Sequence, residues 1–446
     1  MRTIDHLPDE TLLEIFYFVT ASTSTDNFPR AVSLTHVSRR WRKILLNCGG
    51  IWSNIHICHQ DFNQVDTQIK RCQRAQLMVS IESPLELSFY SQFLQNVHGA
   101  AVLIRERRDQ VTLLQAYMDC GLFYRLFGYE WPNLKEFTLT DSCSSGSSFH
   151  EGRYVYPLHS GPPKLKVLLV EGSPNWPMNV VTSLTIFRLK GTKTLKLETL
   201  AKFFRRNTSL ETLELINLDV WKPSNWHRIE PIVLPHLVKL SVRDATCGCA
   251  LALLRLPSLE QLRISSIRGQ DPWTYSPWSE FCSRLHTVSL EAHHRSSSRN
   301  GITVTGWSKG MDTRSFLRFT EFNSLDHLGT ALFGSLSRAS LSSVTSVSFI
   351  KHMPDGCRSP SLIAAICNLL EHLPQVERMH LRPSRLVIGV VRRLSGDQKL
   401  CPGLRELGIK ATESACKTVL SLVAGMKLRA DDDRRRMITV KYSQDE

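Results

Sequence analysis

The phrase Leu210-Glu-Thr-Leu213-Glu-Leu215 decides the fold of most of this chain, because its pattern recurs. The pattern is Leu-x-x-Leu-x-Leu, with other apolar residues accepted at its three fixed positions. It occurs ten times, beginning at Leu134, Leu165, Leu184, Leu210, Leu237, Leu259, Leu285, Val344, Val376 and Leu404. Most copies lie about 20 to 30 residues apart, the spacing of short units that bury their apolar faces only by stacking. The gap of 59 residues after Leu285 predicts a degenerate copy between residues 291 and 343.

Each phrase predicts a short strand, and helical segments are expected between the strands. Six phrases have a proline two residues ahead: Pro132, Pro163, Pro235, Pro257, Pro374 and Pro402. Proline cannot continue a helix, so it predicts an extended approach to the strand. Apolar residues three and four apart predict helices over residues 199–206, 362–373 and 415–426, and a final strand is expected over 437–442. Stacked strand and helix units predict a curved parallel solenoid.

The amino-terminal fifty residues predict a small helical module. Pro8 and the acids after it suit the first turn of a helix from about residue 8 to 19. This helix carries one apolar stripe at positions 12, 15, 16 and 19, and Leu13, Tyr17 and Phe18 add a second apolar face. Residues 21–29 indicate a polar loop, and 31–45 resume helical periodicity. So short a module rarely buries enough apolar area alone, which indicates a partner or an adjoining domain.

Three sequence blocks of this module together resemble an F-box. They are Leu7-Pro8-x-Glu10-x-Leu12-x-x-Ile15-Phe16, Ser33-Leu34-x-x-Val37-Ser38-Arg39-Arg40-Trp41-Arg42-x-Ile44 and Ile51-Trp52-x-x-Ile55. The resemblance implies a motif that docks on the Skp-type adaptor of a cullin-RING ubiquitin ligase. It implies seven adaptor-binding residues: Leu7, Pro8, Leu12, Ile15, Phe16, Val37 and Trp41. The alternative is a helical cap on the following domain, with no adaptor.

The repeats in turn resemble the irregular leucine-rich repeats that often follow F-boxes, especially in fungal proteins. The expected fold class is therefore α/β, with a three-helix F-box module followed by a leucine-rich-repeat solenoid whose parallel sheet lies on the concave side. The expected segments are the F-box-like module at 1–57, a bridging region with divergent repeats at 58–131, and the repeat array at 132–446. Residues 142–161, rich in Ser and Gly, indicate a mobile loop.

Composition narrows the classes of protein. The 446 residues are 42% hydrophobic and 22% charged, typical of a globular chain. No uncharged apolar stretch approaches the roughly 18 residues of a membrane span, and acids stand where a signal peptide is basic, so neither a membrane partner nor export is expected. Twelve scattered cysteines fit a reducing compartment, so a cytoplasmic or nuclear location is expected.

The sequence offers no chemistry that converges on a catalytic or metal site. The stretch His56-Ile-Cys58-His59 and the pair Cys247-Gly-Cys249 lack the paired spacing of a structural zinc site, so no metal is expected. Phosphate-binding and dinucleotide-binding glycine motifs and the nucleophile elbow are missing from the sequence. We therefore expect no cofactor and no enzymatic activity in this chain.

The leading hypothesis is a substrate-recognition subunit of a cullin-RING (SCF-type) E3 ubiquitin ligase. Such a subunit reaches the cullin through the adaptor and works by holding a protein substrate near other subunits that transfer ubiquitin. The alternative is an interaction scaffold that uses the repeat surface without a ligase. A third hypothesis, a basic protein bound to nucleic acid, comes from the formal net charge of +14.

Strand periodicity predicts where a substrate binds. In each phrase the third and fifth positions, and the residue after the phrase, face away from the core. These thirty positions carry eight basic and five acidic residues and no aromatic residue, so nucleic acid is not the expected partner. Outward apolar residues on neighbouring repeats indicate a protein, with basic residues steering acidic partners. The expected contacts are Val167, Leu169, Ile186, Arg188, Ile216, Lys239 and Arg263.

Overall fold

The computed structural model shows a mixed α/β chain made of two units. The first comprises residues 1–193 and 202–210, and the second comprises 194–201 and 211–446; each is described by itself. The residues that the structure describes are 4–21, 27–58, 62–84, 86–141, 162–172, 181–191, 195–221, 229–243, 248–265, 285–296, 299–308, 316–323, 341–349, 360–381, 385–396, 400–410, 421 and 439–443.

The first unit begins with helices and continues as a parallel sheet. Its helices are α1 (Asp9–Ala21), α2 (Asn27–Thr35), α3 (Arg39–Asn47), α4 (Phe62–Arg71), α5 (Tyr90–Glu106) and α6 (Cys120–Phe127). Its strands are β1 (Asn54–Ile57), β2 (Leu77–Glu82), β3 (Val111–Met118), β4 (Glu136–Asp141), β5 (Val167–Glu171) and β6 (Ile186–Lys190). They pair in chain order, all parallel. One helix follows each of β1, β2 and β3, so the bridging region alternates strand and helix although it lacks the phrase.

The second unit carries most of the remaining phrases. Its strands are β7 (Leu195–Lys196), β8 (Thr212–Ile216), β9 (Val220–Trp221), β10 (Ile232–Val233), β11 (Lys239–Arg243), β12 (Leu254–Arg255), β13 (Gln261–Ser265), β14 (Leu285–Ser296), β15 (Arg299–Ser308), β16 (Phe316–Asn323), β17 (Ser346–Phe349), β18 (Arg378–Leu381), β19 (Glu406–Lys410) and β20 (Thr439–Ser443). The helices are α7 (Leu197–Arg206), in which the division between units falls, α8 (Gly248–Ala252), α9 (Pro360–Glu371) and α10 (Arg385–Gly396).

The sheet of the second unit departs from a purely parallel arrangement at one place. Its order is β8-β11-β13-β16-β15-β14-β17-β18-β19-β20, with small parallel pairs β7-β9 and β10-β12. Strand β15 runs antiparallel to both β14 and β16, so the series of parallel strands is interrupted there. Strand β16 pairs parallel with β13 and lies within residues 291–343, where the sequence predicts a degenerate copy.

Each of the ten phrases contains or overlaps a strand, as predicted. The helices predicted at 199–206 and 362–373 are present as α7 and α9, and the final strand is β20. The helix predicted over 415–426, apart from residue 421, and the loop predicted at 142–161 lie outside the described residues. The solenoid, its concave side and the three expected segments stay predictions.

The prolines ahead of the phrases form tight turns instead of an extended approach. In each case the N–H of the first apolar residue of the phrase donates to the carbonyl of the residue before proline, as in Leu165 to Pro162 at 3.1 Å and Leu404 to Cys401 at 3.1 Å. Proline therefore occupies the second position of a four-residue turn, where its fixed φ is favourable. After such a turn, each strand begins two residues after the first residue of its phrase.

A buried asparagine connects α7 to the start of β6 within the first unit. Asn207 is fully buried, and its side-chain oxygen accepts from Leu184 N at 3.1 Å. Its Nδ2 donates to Val181 O at 3.0 Å and to Phe203 O at 2.9 Å. One amide thus satisfies backbone groups of a turn and of a helix end, groups that would be costly to bury without partners.

Candidate functional site

The amino-terminal module contains three helices, and the second and third differ from the sequence prediction. Helix α1 agrees closely with the expected span, whereas α2 begins at Asn27, where a loop was expected. The periodic stretch over 31–45 is broken after Thr35, because Ser38 caps a new helix. The backbone of Ser38 is extended, and Ser38 Oγ accepts a hydrogen bond from Trp41 N at 3.1 Å.

The core of the module contains large apolar side chains from α1 and α3. Leu12, Phe16 and Leu45 have no exposed surface, and Trp41 is 7% exposed. The rings of Phe16 and Trp41 lie 4.8 Å apart, centroid to centroid. Trp52 follows on a 3₁₀ turn, and its indole nitrogen donates to Leu45 O at 2.9 Å. The module therefore holds α1 and α3 together through its own aromatic residues.

Arg40 joins the start of α3 to the start of α1. Its Nη2 donates to Leu7 O at 2.6 Å, and its Nε donates to Asp9 Oδ1 at 3.0 Å. These bonds place the exposed Pro8 at the same end of the module as Val37, which lies three residues before Arg40 and is 60% exposed.

Helix α1 also presents an apolar stripe outside the core. Pro8 immediately precedes the helix, Ile15 and Val19 follow it on the same side at spacings of seven and four, and Phe18 lies beside them. Phe18 is 80% exposed, Val19 is 36% exposed and Ile15 is half-buried. We define Pro8, Ile15, Phe18, Val19 and Val37 as the outward apolar set. These side chains offer apolar surface that a protein partner could cover.

The comparison with protein-family models identifies this module. Residues 4–58 match the F-box-like family model. These residues form an F-box-like domain. No curated protein matches the chain.

The seven predicted adaptor-binding residues fall into two groups according to their burial in the F-box-like domain. Leu12, Phe16 and Trp41 lie in the domain's own core, because none of them is more than 7% exposed. In this structure these three side chains therefore hold the domain together, and Leu12→Asp would test folding instead of docking. The other four have accessible surface: Leu7, Pro8, Ile15 and Val37. Adaptor contact through these four stays a prediction.

Phe18 and Val19 are candidate docking residues that the list of expected contacts omitted. The signal was present in the sequence, since the second apolar face of this helix includes Phe18. Phe18 was nevertheless not predicted as a contact, because a helical pattern shows that two faces are apolar without showing which of them packs inward.

Tyr17 lies on another side of α1 and contacts the segment after α3. Its hydroxyl is 3.2 Å from Cys48 Sγ. The hydrogen bond with Cys48, together with partial burial, raises the pKa of Tyr17 to about 12. A side chain at Gly50 would collide with this hydroxyl, because a Cβ built there lies 2.2 Å from it. This contact therefore fixes the end of α1 against the 3₁₀ turn.

The outward sheet face of the first unit carries four of the predicted substrate contacts. Val167 pairs with Ile186, and Leu169 pairs with Arg188, on neighbouring strands β5 and β6. Val167 and Leu169 are half-buried, whereas Ile186 and Arg188 are exposed. The residues between them, such as Leu168, are fully buried, which confirms the predicted alternation.

The outward face of the second unit carries the other three predicted contacts. Ile216 on β8 is half-buried, and Lys239 on β11 and Arg263 on β13 are exposed. Arg243, also exposed, lies on β11 at the position that pairs with Ile216. In β8, β11 and β13 the alternation again agrees with the prediction, whereas Ser346 on β17, another position expected to face outward, is buried. Substrate binding by Ile216, Lys239 or Arg263 stays a prediction.

Two further features concern only the part of the chain that the structure describes. Within it, no group of three or more His, Cys, Asp or Glu residues could hold a metal ion. His56, from the stretch His56-Ile-Cys58-His59, has its Nδ1 2.9 Å from Ser80 Oγ. Among the same described residues, no helix is both long and apolar enough to span a membrane.

Proposed function

We propose that this protein is a substrate-recognition subunit of a cullin-RING (SCF-type) ubiquitin ligase. The observation that carries the proposal is an F-box-like domain with a buried aromatic core and an outward apolar set that keeps accessible surface. F-box domains typically dock on Skp-type adaptors, and an exposed set of this kind is what such docking requires. The adaptor in turn connects the protein to a cullin.

The mechanism is proximity, and it needs no catalytic residue in this chain. The repeat strands supply outward faces on which a protein substrate binds, and the ligase's other subunits transfer ubiquitin to it. In the first unit, Leu169 and Ile186 offer apolar contact beside Arg188; in the second, Lys239 and Arg263 attract acidic groups. Stacked repeats commonly bind partners on such surfaces, which supports the assignment.

Co-purification with a Skp-type adaptor tests the proposal. Val37→Asp and Phe18→Asp each place a charge in the outward apolar set and are expected to abolish adaptor binding without unfolding the domain, since both side chains are largely exposed. Val102→Asp on α5 is the matched control, because Val102 is 59% exposed and Val37 is 60% exposed. The control is expected to bind the adaptor as the wild type does.

A folded wild-type chain that captures no Skp-type adaptor would remove the ligase assignment. The non-ligase scaffold would then be the better description, with the repeat faces still binding partners. Proteins that co-purify with the full chain, identified by mass spectrometry, are expected to be lost with Leu169→Asp or Arg263→Glu while adaptor binding persists.

A further inference from the structure

A group of cations lies along one edge of the sheet in the first unit. Because β2, β3, β4 and β5 are parallel, the segments that lead into them meet at the same edge. These segments are residues 71–76, 105–110, 132–135 and 162–166. Their basic residues, defined here as the basic edge, are Arg71, Arg74, Arg105, Arg107, Arg108, Lys135, Lys164 and Lys166. Their acidic residues are Glu106 and Asp109, so the surplus is six positive charges.

Hydrogen bonds join these segments side by side. Arg107 Nη1 donates to Gln73 O at 2.6 Å, which connects the segments before β2 and β3. Asn133 Nδ2 donates to Asp109 O at 2.6 Å, and Lys164 Nζ donates to Asn133 Oδ1 at 2.7 Å. Neighbouring strands lie about 4.8 Å apart, so the basic edge spans about 15 Å. The cations are therefore held close together on an ordered scaffold.

Little of this charge is neutralised within the unit. Arg108 pairs with Asp109 at 3.8 Å, and among the described residues no other carboxylate forms a salt bridge with the basic edge. Six of the eight side chains are exposed: Arg74, Arg105, Arg108, Lys135, Lys164 and Lys166. Mutual repulsion of like charges is relieved by an external anion, so the edge attracts one.

The aromatic residues beside the edge argue against nucleic acid as that anion. Single strands are bound by stacking bases on exposed rings. Trp52 and Trp131 are buried, and the Tyr129 hydroxyl is buried as well. Arg71 covers the ring of Trp52 at 4.5 Å. The edge thus offers charge and amide groups without a stacking surface.

We propose that the basic edge binds an acidic segment of a partner protein. An extended polypeptide advances about 3.3 Å per residue, so roughly five residues match the 15 Å edge. The arginines suit carboxylates, because guanidinium groups can bind them in a bidentate manner. This inference goes beyond the proposed function, since the basic edge lies outside the outward apolar set and needs no adaptor.

Fluorescence anisotropy with a labelled octa-glutamate peptide tests the inference on the full chain. The variant Arg108→Glu/Lys135→Glu/Lys164→Glu is expected to weaken binding at least about tenfold, because close charge pairs are lost and repulsion replaces them. The matched control is Arg39→Glu/Lys43→Glu/Arg125→Glu, which changes the net charge equally at exposed sites on α3 and α6. It is expected to bind within about twofold of the wild type. Octa-glutamine is expected not to bind.

Three results would overturn the inference. The first is no binding of octa-glutamate by the wild type. The second is an equal loss in both triple variants, which would show a response to net charge alone. The third is tighter binding of a twelve-nucleotide oligothymidylate than of the peptide. Should circular dichroism show that the triple variant is unfolded, Lys135→Gln/Lys164→Gln decides instead, with an expected loss of about threefold.

Discussion

The helices of the F-box-like domain and the strands of the repeats show opposite relations between pattern and exposure. In β5 and β6 the residues expected to face outward are accessible and those between them are buried. In α1 the residues expected to contact a partner include Leu12 and Phe16, which are fully buried, whereas Phe18 is 80% exposed. A two-residue period leaves only two sides to choose from, and the apolar side packs inward. A helix with two apolar faces can be buried along either of them.

The largest effect is expected where this contrast is sharpest, at two phenylalanines of one helix. Phe16→Ala removes a ring that packs against Trp41 and should lower the free energy of unfolding by about 3 to 5 kcal/mol. Phe18→Ala, the same substitution two residues later, should change it by less than about 0.5 kcal/mol. Urea unfolding followed by tryptophan fluorescence measures both.

Comparable losses in the two variants would contradict the assignment of α1 faces. A Phe16→Ala variant as stable as the wild type would instead show that the core of the domain tolerates a cavity. The helices and the strands would then differ in how densely their side chains pack.

The sequence predicted the strands well and the turns and insertions less well. The phrases located ten strands because their apolar positions depend only on local alternation. The proline turns were not predicted, because the fixed φ of proline is compatible with both a tight turn and an extended segment. The hydrogen bond from Leu165 N to Pro162 O, which closes one such turn, is visible only in the structure. Strand β15 was missed because its antiparallel pairing with β16 connects residues without the repeat phrase.

Asn207 adds a third case to the comparison of sequence pattern with burial, because it is a buried polar residue that no apolar pattern could predict. Asn207→Ala leaves Leu184 N–H and Val181 O without their partner and should cost about 2 to 3 kcal/mol of stability. Thr208→Ala, at the next and exposed position, is the control and should change stability by less than about 0.5 kcal/mol. Chemical denaturation of the full chain measures both, and equal effects would show that the three bonds of Asn207 contribute little.

The smallest effect concerns Tyr17, whose hydroxyl joins α1 to the segment after α3. Its pKa is raised to about 12 in the folded domain, first by the hydrogen bond with Cys48 and then by burial. A group whose pKa is higher in the folded than in the unfolded state contributes stability that is complete below the unfolded value, near pH 10, and is lost as the pH rises toward 12. Tyr17→Phe removes both the hydroxyl and its titration. The difference in unfolding free energy between wild type and variant should therefore be constant from pH 7 to 9 and should shrink between pH 10 and 12, as measured by urea unfolding at each pH. Because Tyr17 is 44% exposed, solvent weakens this effect, and a difference that stays constant up to pH 12 would show that the contact with Cys48 does not hold the end of α1.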